Sequence, residues 1–129
     1  MISYDEFSKI EMKVGKILSA EPVPKSDKLL KLSVDFGVIP QVVPPVENTE
    51  PAPAVADVRE VRQIISGIAK HFSDIQNLVG KKCMFVTNLA PRMLMGLESN
   101  GMILAVSTED GKFSLLEPLS DIPEGTKAR

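Results

Sequence analysis

With 129 residues, 43% of them hydrophobic, the chain has material for one compact domain and hardly enough for two cores. No apolar run approaches the roughly 20 residues that cross a bilayer, the opening MISYDEFSKIEMK carries no secretory pattern, and a lone cysteine, Cys83, excludes an internal disulfide, so a cytoplasmic protein with no membrane partner is expected. The formal charge of −2 disfavours a strongly basic binder of phosphates, yet Glu47, Glu50 and Asp57 in residues 38–58 stand without a base, which leaves the rest of the chain at +1 and permits such binding without indicating it.

Ser3 followed by Glu6 forms a capping-box pattern, and Tyr4, Phe7 and Ile10 share one stripe, predicting a short helix from Ser3 to Ile10. Met12 and Val14 alternate with Lys13 until the apolar phase slips near Gly15, before Ile17 and Leu18, as in a bent or bulged strand. Leu30, Leu32, Val34 and Phe36 alternate cleanly with Lys31, Ser33 and Asp35, predicting a half-buried strand. From Val38 to Val58 the chain reads VIPQVVPPVENTEPAPAVADV, with five of the ten prolines and no glycine. Proline removes ladder donors and favours extended backbone, so residues 38–58 are expected to be a proline-rich acidic insertion within a single domain spanning 1–129.

Strand character resumes at Val61 to Ser66. Ser73, with Gln76 three residues on, is expected to cap a short helix ending near Gly80, with Ile75, Leu78 and Val79 on its apolar side. Lys82 to Asn88 and Met102 to Ser107 read as two strands, separated by Leu89 to Gly101, a connection too long for a tight hairpin. Asp110-Gly111 then predicts a turn into Phe113 to Leu116. The order predicts a mainly β chain: a five-stranded OB-fold barrel with short helices and a C-terminal hairpin extension.

The inventory of reactive groups argues against an enzyme. With one histidine and one cysteine there is no metal-spaced cluster, and no glycine-rich loop precedes a helix, so no catalytic residue, metal or cofactor is expected. His71 reads as a surface residue beside the predicted helix cap and Cys83 as a small core residue. The acid pairs Asp5-Glu6 and Glu109-Asp110 fall at a helix start and a turn, both ordinary solvated positions.

Six ordered blocks resemble one family: FSKIEMKVGKI, PKSDKLLKLSVDFG, RQIISGIA, LVGKK, NLAPRMLMGLESNGMILA, and LLEP with IPEGTK, from about Tyr4 to Lys127 apart from the proline-rich stretch. The chain resembles the tRNA-binding domain appended to methionyl-tRNA synthetases and found as stand-alone tRNA-binding proteins. The resemblance implies an OB barrel, a homodimer, and non-catalytic binding of tRNA by shape and backbone that assists a synthetase in cis or in trans. OB-folds bind on the face of strands 2 and 3 and with the loops joining strands 1 to 2 and 4 to 5, which here hold Pro24 to Leu29 and Asn88 to Met102. The expected tRNA contacts are Ser26 and Lys28 in the first loop, and Arg92, Asn88, Ser99 and Asn100 in the second. Gly101 is expected to allow close backbone approach, and Met102, which matches a functional position of the family's Ser-x-Gly-Met motif, to pack on a base or sugar.

Several of these positions have rival roles. Lys28 also suits a solvated loop charge, Asp27 a turn residue, and Asn88 with Pro91 the shaping of the exit from the preceding strand. Arg62 alternates within its strand and faces either ligand or solvent, while Met93 and Met95 read better as core or dimer-contact residues. The family often carries a basic residue where Met93 stands and alanine where Ser26 stands, so phosphate attraction is expected to be modest. The alternative function is a protein-binding, export-chaperone-like module of the same fold, motivated by the proline-rich stretch and weak net charge; the Ser-Asp-Lys-Leu and Ser-Asn-Gly-Met segments favour tRNA.

Overall fold

The computed structural model describes residues 1–39 and 58–129. The insertion predicted for 38–58 therefore lies outside the described residues except at its neck, where the Ile39 amide donates to the Val58 carbonyl at 2.7 Å.

Helix α1, Tyr4–Phe7, begins as its sequence requires: Ser3 Oγ accepts from the Glu6 amide at 3.2 Å, and the Ser3 hydroxyl reaches Glu6 Oε1 at 3.4 Å. It stops after one turn instead of reaching Ile10. None of its residues is buried, and an unpacked helix of that length gains too little to propagate.

Nine strands follow among the described residues: β1 (Met12–Pro22), β2 (Leu30–Val38), β3 (Arg59–Ser66), β4 (Lys82–Val86), β5 (Arg92–Leu94), β6 (Leu97–Ser99), β7 (Met102–Ile103), β8 (Ala105–Ser107) and β9 (Phe113–Leu115). Five form one antiparallel sheet in the order β3-β2-β1-β4-β7. Strand β1 serves two neighbours: Met12 to Lys16 pairs with β4 and Lys16 to Pro22 with β2, with a register shift between Ile17 and Ser19 where the apolar phase slips in the sequence. That irregularity bends the strand and lets the sheet curl into a half-barrel.

Alternation in β2 turns Leu30, Leu32, Val34 and Phe36 inward, where they join Ile17, Ile64, Leu78, Cys83 and Phe85. Phe36 meets Phe85 edge to face, with ring centroids 5.3 Å apart. Each fully buried aliphatic or aromatic side chain contributes about 1.5–3 kcal/mol, so this layer positions everything attached to it. Burial pushes the Cys83 thiol up to about 12, and the residue is a small, inert part of the core.

Three sequence expectations change here. The helix cap is Asp74 and not Ser73: Asp74 Oδ1 accepts from the Gln76 amide at 3.0 Å, and the turn it starts, Ile75–Leu78, is a 3-10 helix anchored by buried Leu78. The stretch Met102 to Ser107 is two strands and not one, because Leu116 interrupts the ladder at Leu104: the Leu104 amide still donates to Met84 O at 3.0 Å, but its carbonyl accepts from the Leu116 amide at 3.2 Å. Within Leu89 to Gly101, β5 and β6 form a tight hairpin that turns at Met95 (φ 50°) and Gly96 (φ 80°). Both turn residues are left-handed, which matches the twist of the flanking strands.

The C-terminal segment lies along β1, with Gly125 N donating to Val14 O (2.7 Å), Val14 N to Thr126 O (2.9 Å) and Ala128 N to Met12 O (2.8 Å). Gly37 (φ 92°) and Gly125 (φ 88°) touch where it crosses β2; a Cβ on Gly37 would strike Glu124 O, and one on Gly125 would strike Phe36 O. Arg59 locks the crossing by pairing with Asp35 at 2.7 Å and with Glu124 at 3.3 Å. No helix among the described residues is long and apolar enough to cross a membrane.

Candidate nucleic-acid interface

The loop joining β1 to β2 is organised by Ser26. Its Oγ accepts from the Lys28 and Leu29 amides at 3.4 and 3.2 Å, and its own amide donates to Val23 O at 3.1 Å. The loop also docks on the 3-10 turn Ala69–His71, since Ala69 N donates to Lys28 O at 3.0 Å. The Lys28 side chain is exposed and, among the described residues, has no acid within ion-pair distance. Asp27 points to solvent and meets Lys70 at 3.7 Å.

The second loop leaves β4 at Thr87, carries the β5–β6 hairpin, and returns at Asn100. It is fastened along its length. Asn88 Oδ1 accepts from the Glu11 amide at 2.9 Å and its Nδ2 donates to Lys9 O at 2.5 Å, so both ends of that amide bind the N-terminal segment. Thr87 Oγ1 reaches the Glu11 carboxylate at 2.6 Å, and this hydrogen bond, helped by nearby Lys13, holds the Glu11 carboxyl below its usual range against the opposing effect of burial. On the return path Ser99 Oγ accepts from the Ile65 amide at 3.0 Å, Asn100 N donates to Gln63 O at 2.9 Å, and Gln63 Nε2 donates to Glu98 O at 2.9 Å. These bonds occupy the free edge of β3, which would otherwise be an exposed template for pairing.

The predicted contacts thus separate into two groups. Lys28, Arg92 and Met102 present exposed side chains; Arg92, like Lys28, has no acid partner among the described residues. Ser26, Asn88 and Ser99 spend their polar atoms on the backbone, and Ser99 is only 5% exposed. Asn100 is half-buried, and Gly101 (φ 152°) sits against the protein itself: a Cβ there would lie 3.0 Å from Ile64 Cδ1 and 3.2 Å from Val86 O. Arg62 is half-buried, with its side chain 26% exposed. Its partner in β2 is buried Val34, so it lies on the core side of the sheet with Ile64, while Val61 and Gln63 face outward.

The β2–β3 ladder links the two loops. Leu30 and Lys31 pair with Ser66 and Ile65, which in turn line a pocket of about 80 Å3 with Leu89, Ala90, Arg92 and Met102. Two residues missed as site candidates belong to this face. Lys31 is visible in the sequence as an outward position of the cleanest strand, whereas Lys70 reaches the Lys28 loop only through the fold. No aromatic residue is among the outward residues of β2 and β3 (Lys31, Ser33, Val61, Gln63) or in the pocket lining.

The family model described as "Putative tRNA binding domain" matches residues 52–127, which include the whole β3 to C-terminal portion of this face. The chain belongs to the tRNA-binding domain family. It is 48% identical over 128 residues to a methionine–tRNA ligase of Methanospirillum hungatei, covering 99% of this chain and 16% of that enzyme. The domain thus spans about one sixth of the length of the curated relatives it matches. Among solved structures it resembles a MetRS-related protein from Pyrococcus horikoshii, with TM-score 0.77 and 36% identity over 100% of this chain and 98% of that one. The chaperone CsaA from Bacillus anthracis shares the fold of the domain, with TM-score 0.74 at 23% identity over 100% and 99% of the two chains.

Proposed function

We propose that the chain is a non-catalytic tRNA-binding module built on a five-stranded OB barrel, one domain over 1–129, working in the cytoplasm and holding tRNA near a methionyl-tRNA synthetase in cis or in trans. The observation that carries this reading is the joining of two cation-bearing loops by the β2–β3 face, with Lys28 at one side and Arg92 and Met102 at the other. Lys28 and Arg92 contact phosphates, whereas Lys31 and Lys70, each ion-paired with an acid, Glu21 and Asp27, add little net charge. Met102 packs on a sugar or base, and Asn100 donates beside it. Ser26, Asn88, Ser99, Gly101 and Arg62 hold the loops in shape.

The chemistry of the face favours backbone and shape over base reading. OB-folds that take single strands stack bases on aromatic side chains, and this face presents lysine, serine, glutamine, valine and methionine instead. Duplex RNA is read through phosphates and 2′-hydroxyls, for which these donors suffice. The neck at Ile39 and Val58 is at the far end of β2 from Lys28, nine strand residues or roughly 26 Å away.

Titration of unfractionated tRNA at several salt concentrations tests the reading. Removing Lys28 and Arg92 together is expected to flatten the slope of log K against log salt by about two units, one per phosphate contact. Unchanged slope rejects the contacts, and no affinity in the unaltered chain rejects the function.

One observation favours the protein-binding alternative. Leu89, Met93 (66% exposed), Met95 (58%) and Met102 cluster on the fastened loop, and flexible exposed methionines suit adaptable protein surfaces. Protection of an unfolded client at stoichiometric ratio, with no tRNA affinity, would establish it. Exposed Ile2, Tyr4 and Ile10 at the N-terminus and Leu119 near the C-terminus support the proposed homodimer; light scattering that gives a monomer at micromolar concentration would reject it.

A further inference from the structure

Resting on that reading, we infer that Arg62 is a positioning residue: its guanidinium, steered by Glu60, staples the two ends of the Asn88 to Ser99 loop together and fixes how Arg92 and Met102 are presented to RNA.

The geometry is that of a clasp. Arg62 Nη1 donates to Thr87 O at 2.5 Å and makes a longer contact, 3.4 Å, to Asn100 O. Thr87 and Asn100 are the residues that immediately bracket the loop, so one nitrogen spans its neck. Glu60 Oε1 holds the opposite edge of the guanidinium, accepting from Nε at 2.8 Å and lying 2.6 Å from Nη2. The guanidinium carbon stands 5.5 Å from the centroid of the Phe36 ring, which supports the group from the core. The side chain is only 26% exposed. Of the five N–H donors of arginine, at most one remains for a ligand, and the charge is already matched by Glu60.

A group so fully engaged is unsuited to phosphate, but it is well placed to keep a loop in one shape before ligand arrives. Ordering a loop at the moment of binding costs affinity, and preorganisation removes that cost. The fork is essential to the task. An ammonium at this position has no plane to lie against Phe36, and it does not span Glu60, Thr87 O and Asn100 O together.

The test compares the unaltered chain with Arg62→Lys, Arg62→Ala, Glu60→Gln and Lys28→Ala, using unfractionated tRNA at several salt concentrations and amide exchange of the free proteins. Both Arg62 variants are expected to bind about ten-fold more weakly with an unchanged salt slope, whereas Lys28→Ala loses about one unit of slope. In the absence of RNA, the Asn100 amide is expected to exchange faster in the Arg62 and Glu60 variants. Wild-type affinity in Arg62→Lys, or a unit of slope lost in Arg62→Ala, makes Arg62 a phosphate contact and overturns the inference. Unchanged exchange at Asn100 overturns it as well. If Arg62→Ala does not fold, Arg62→Lys and Glu60→Gln decide the matter. Absence of tRNA affinity in the unaltered chain would sink the functional reading alone, since the exchange measurement still shows whether the clasp exists.

Discussion

The two loops of the proposed interface are held by different means. Val23 to Leu29 is a short connection whose hydrogen bonds run within itself and to one 3-10 turn, and its two lysines, Lys25 and Lys28, have no acid partner among the described residues. Thr87 to Met102 is tied to the N-terminal segment through Asn88 and Thr87, to β3 through Ser99 and Asn100, and to Arg62 at its neck. The first loop is suited to contribute charge, which tolerates motion, and the fastened residues of the second to hold a shape, which does not. Changes at those fasteners should therefore damage stability and binding together, while loss of Lys28 should damage binding alone.

The largest effect is expected at Gly101. At φ 152° a side chain is strained, and its Cβ meets Ile64 Cδ1 at 3.0 Å and Val86 O at 3.2 Å. Gly101→Ala is expected to lower stability by about 1–3 kcal/mol, read from a urea denaturation midpoint, and to weaken tRNA binding in parallel. A variant with unchanged stability and weakened binding would assign Gly101 to ligand approach instead.

Ser99→Ala comes next. It removes the acceptor for the buried Ile65 amide, and an orphaned buried donor costs about 1–3 kcal/mol. The removed hydroxyl is not exposed, so the salt slope of binding should stay as it was. A lower slope would place Ser99 on the RNA.

How visible these features were in the sequence depended on their range. Strand β2 was legible because its inward and outward residues alternate without fault, and the slip in β1 because the apolar phase changes beside a glycine. Strand β3 was misleading: Glu60 and Arg62 share the core side with Ile64, while Val61 is exposed, since charged residues close the end of the sheet. The β5–β6 hairpin escaped notice because three-residue strands are too short to show a period and its turn is Met95-Gly96 and not Asn-Gly. Nothing local marks Asn88, Ser99 or Arg62 as fasteners. Their partners lie tens of residues away, and only the folded chain brings them together.

A smaller, pH-dependent effect sharpens the contrast at the base of the second loop. The folded Glu11 carboxyl lies below its unfolded value, chiefly through the Thr87 hydroxyl. Its contribution is thus fully present above the unfolded carboxylate range and is lost as pH falls through the folded value. Thr87→Val is expected to flatten the acid side of a stability-against-pH curve, measured by thermal melting between roughly pH 6 and 3. An unchanged curve would detach Glu11 from the fastening of the loop.

The smallest effect on stability is expected at Lys28, and that near-absence is what separates the loops. Its side chain has no ion-pair partner among the described residues, and the loop's hydrogen bonds come from Ser26 and from backbone that any residue supplies. Lys28→Ala should leave the urea midpoint within about 0.5 kcal/mol of the unaltered chain while removing about one unit from the salt slope of tRNA binding. A loss of stability as large as that at Ser99 would mean that the first loop is fastened through its lysine, and the division between a charge-bearing loop and a shape-bearing loop would fall.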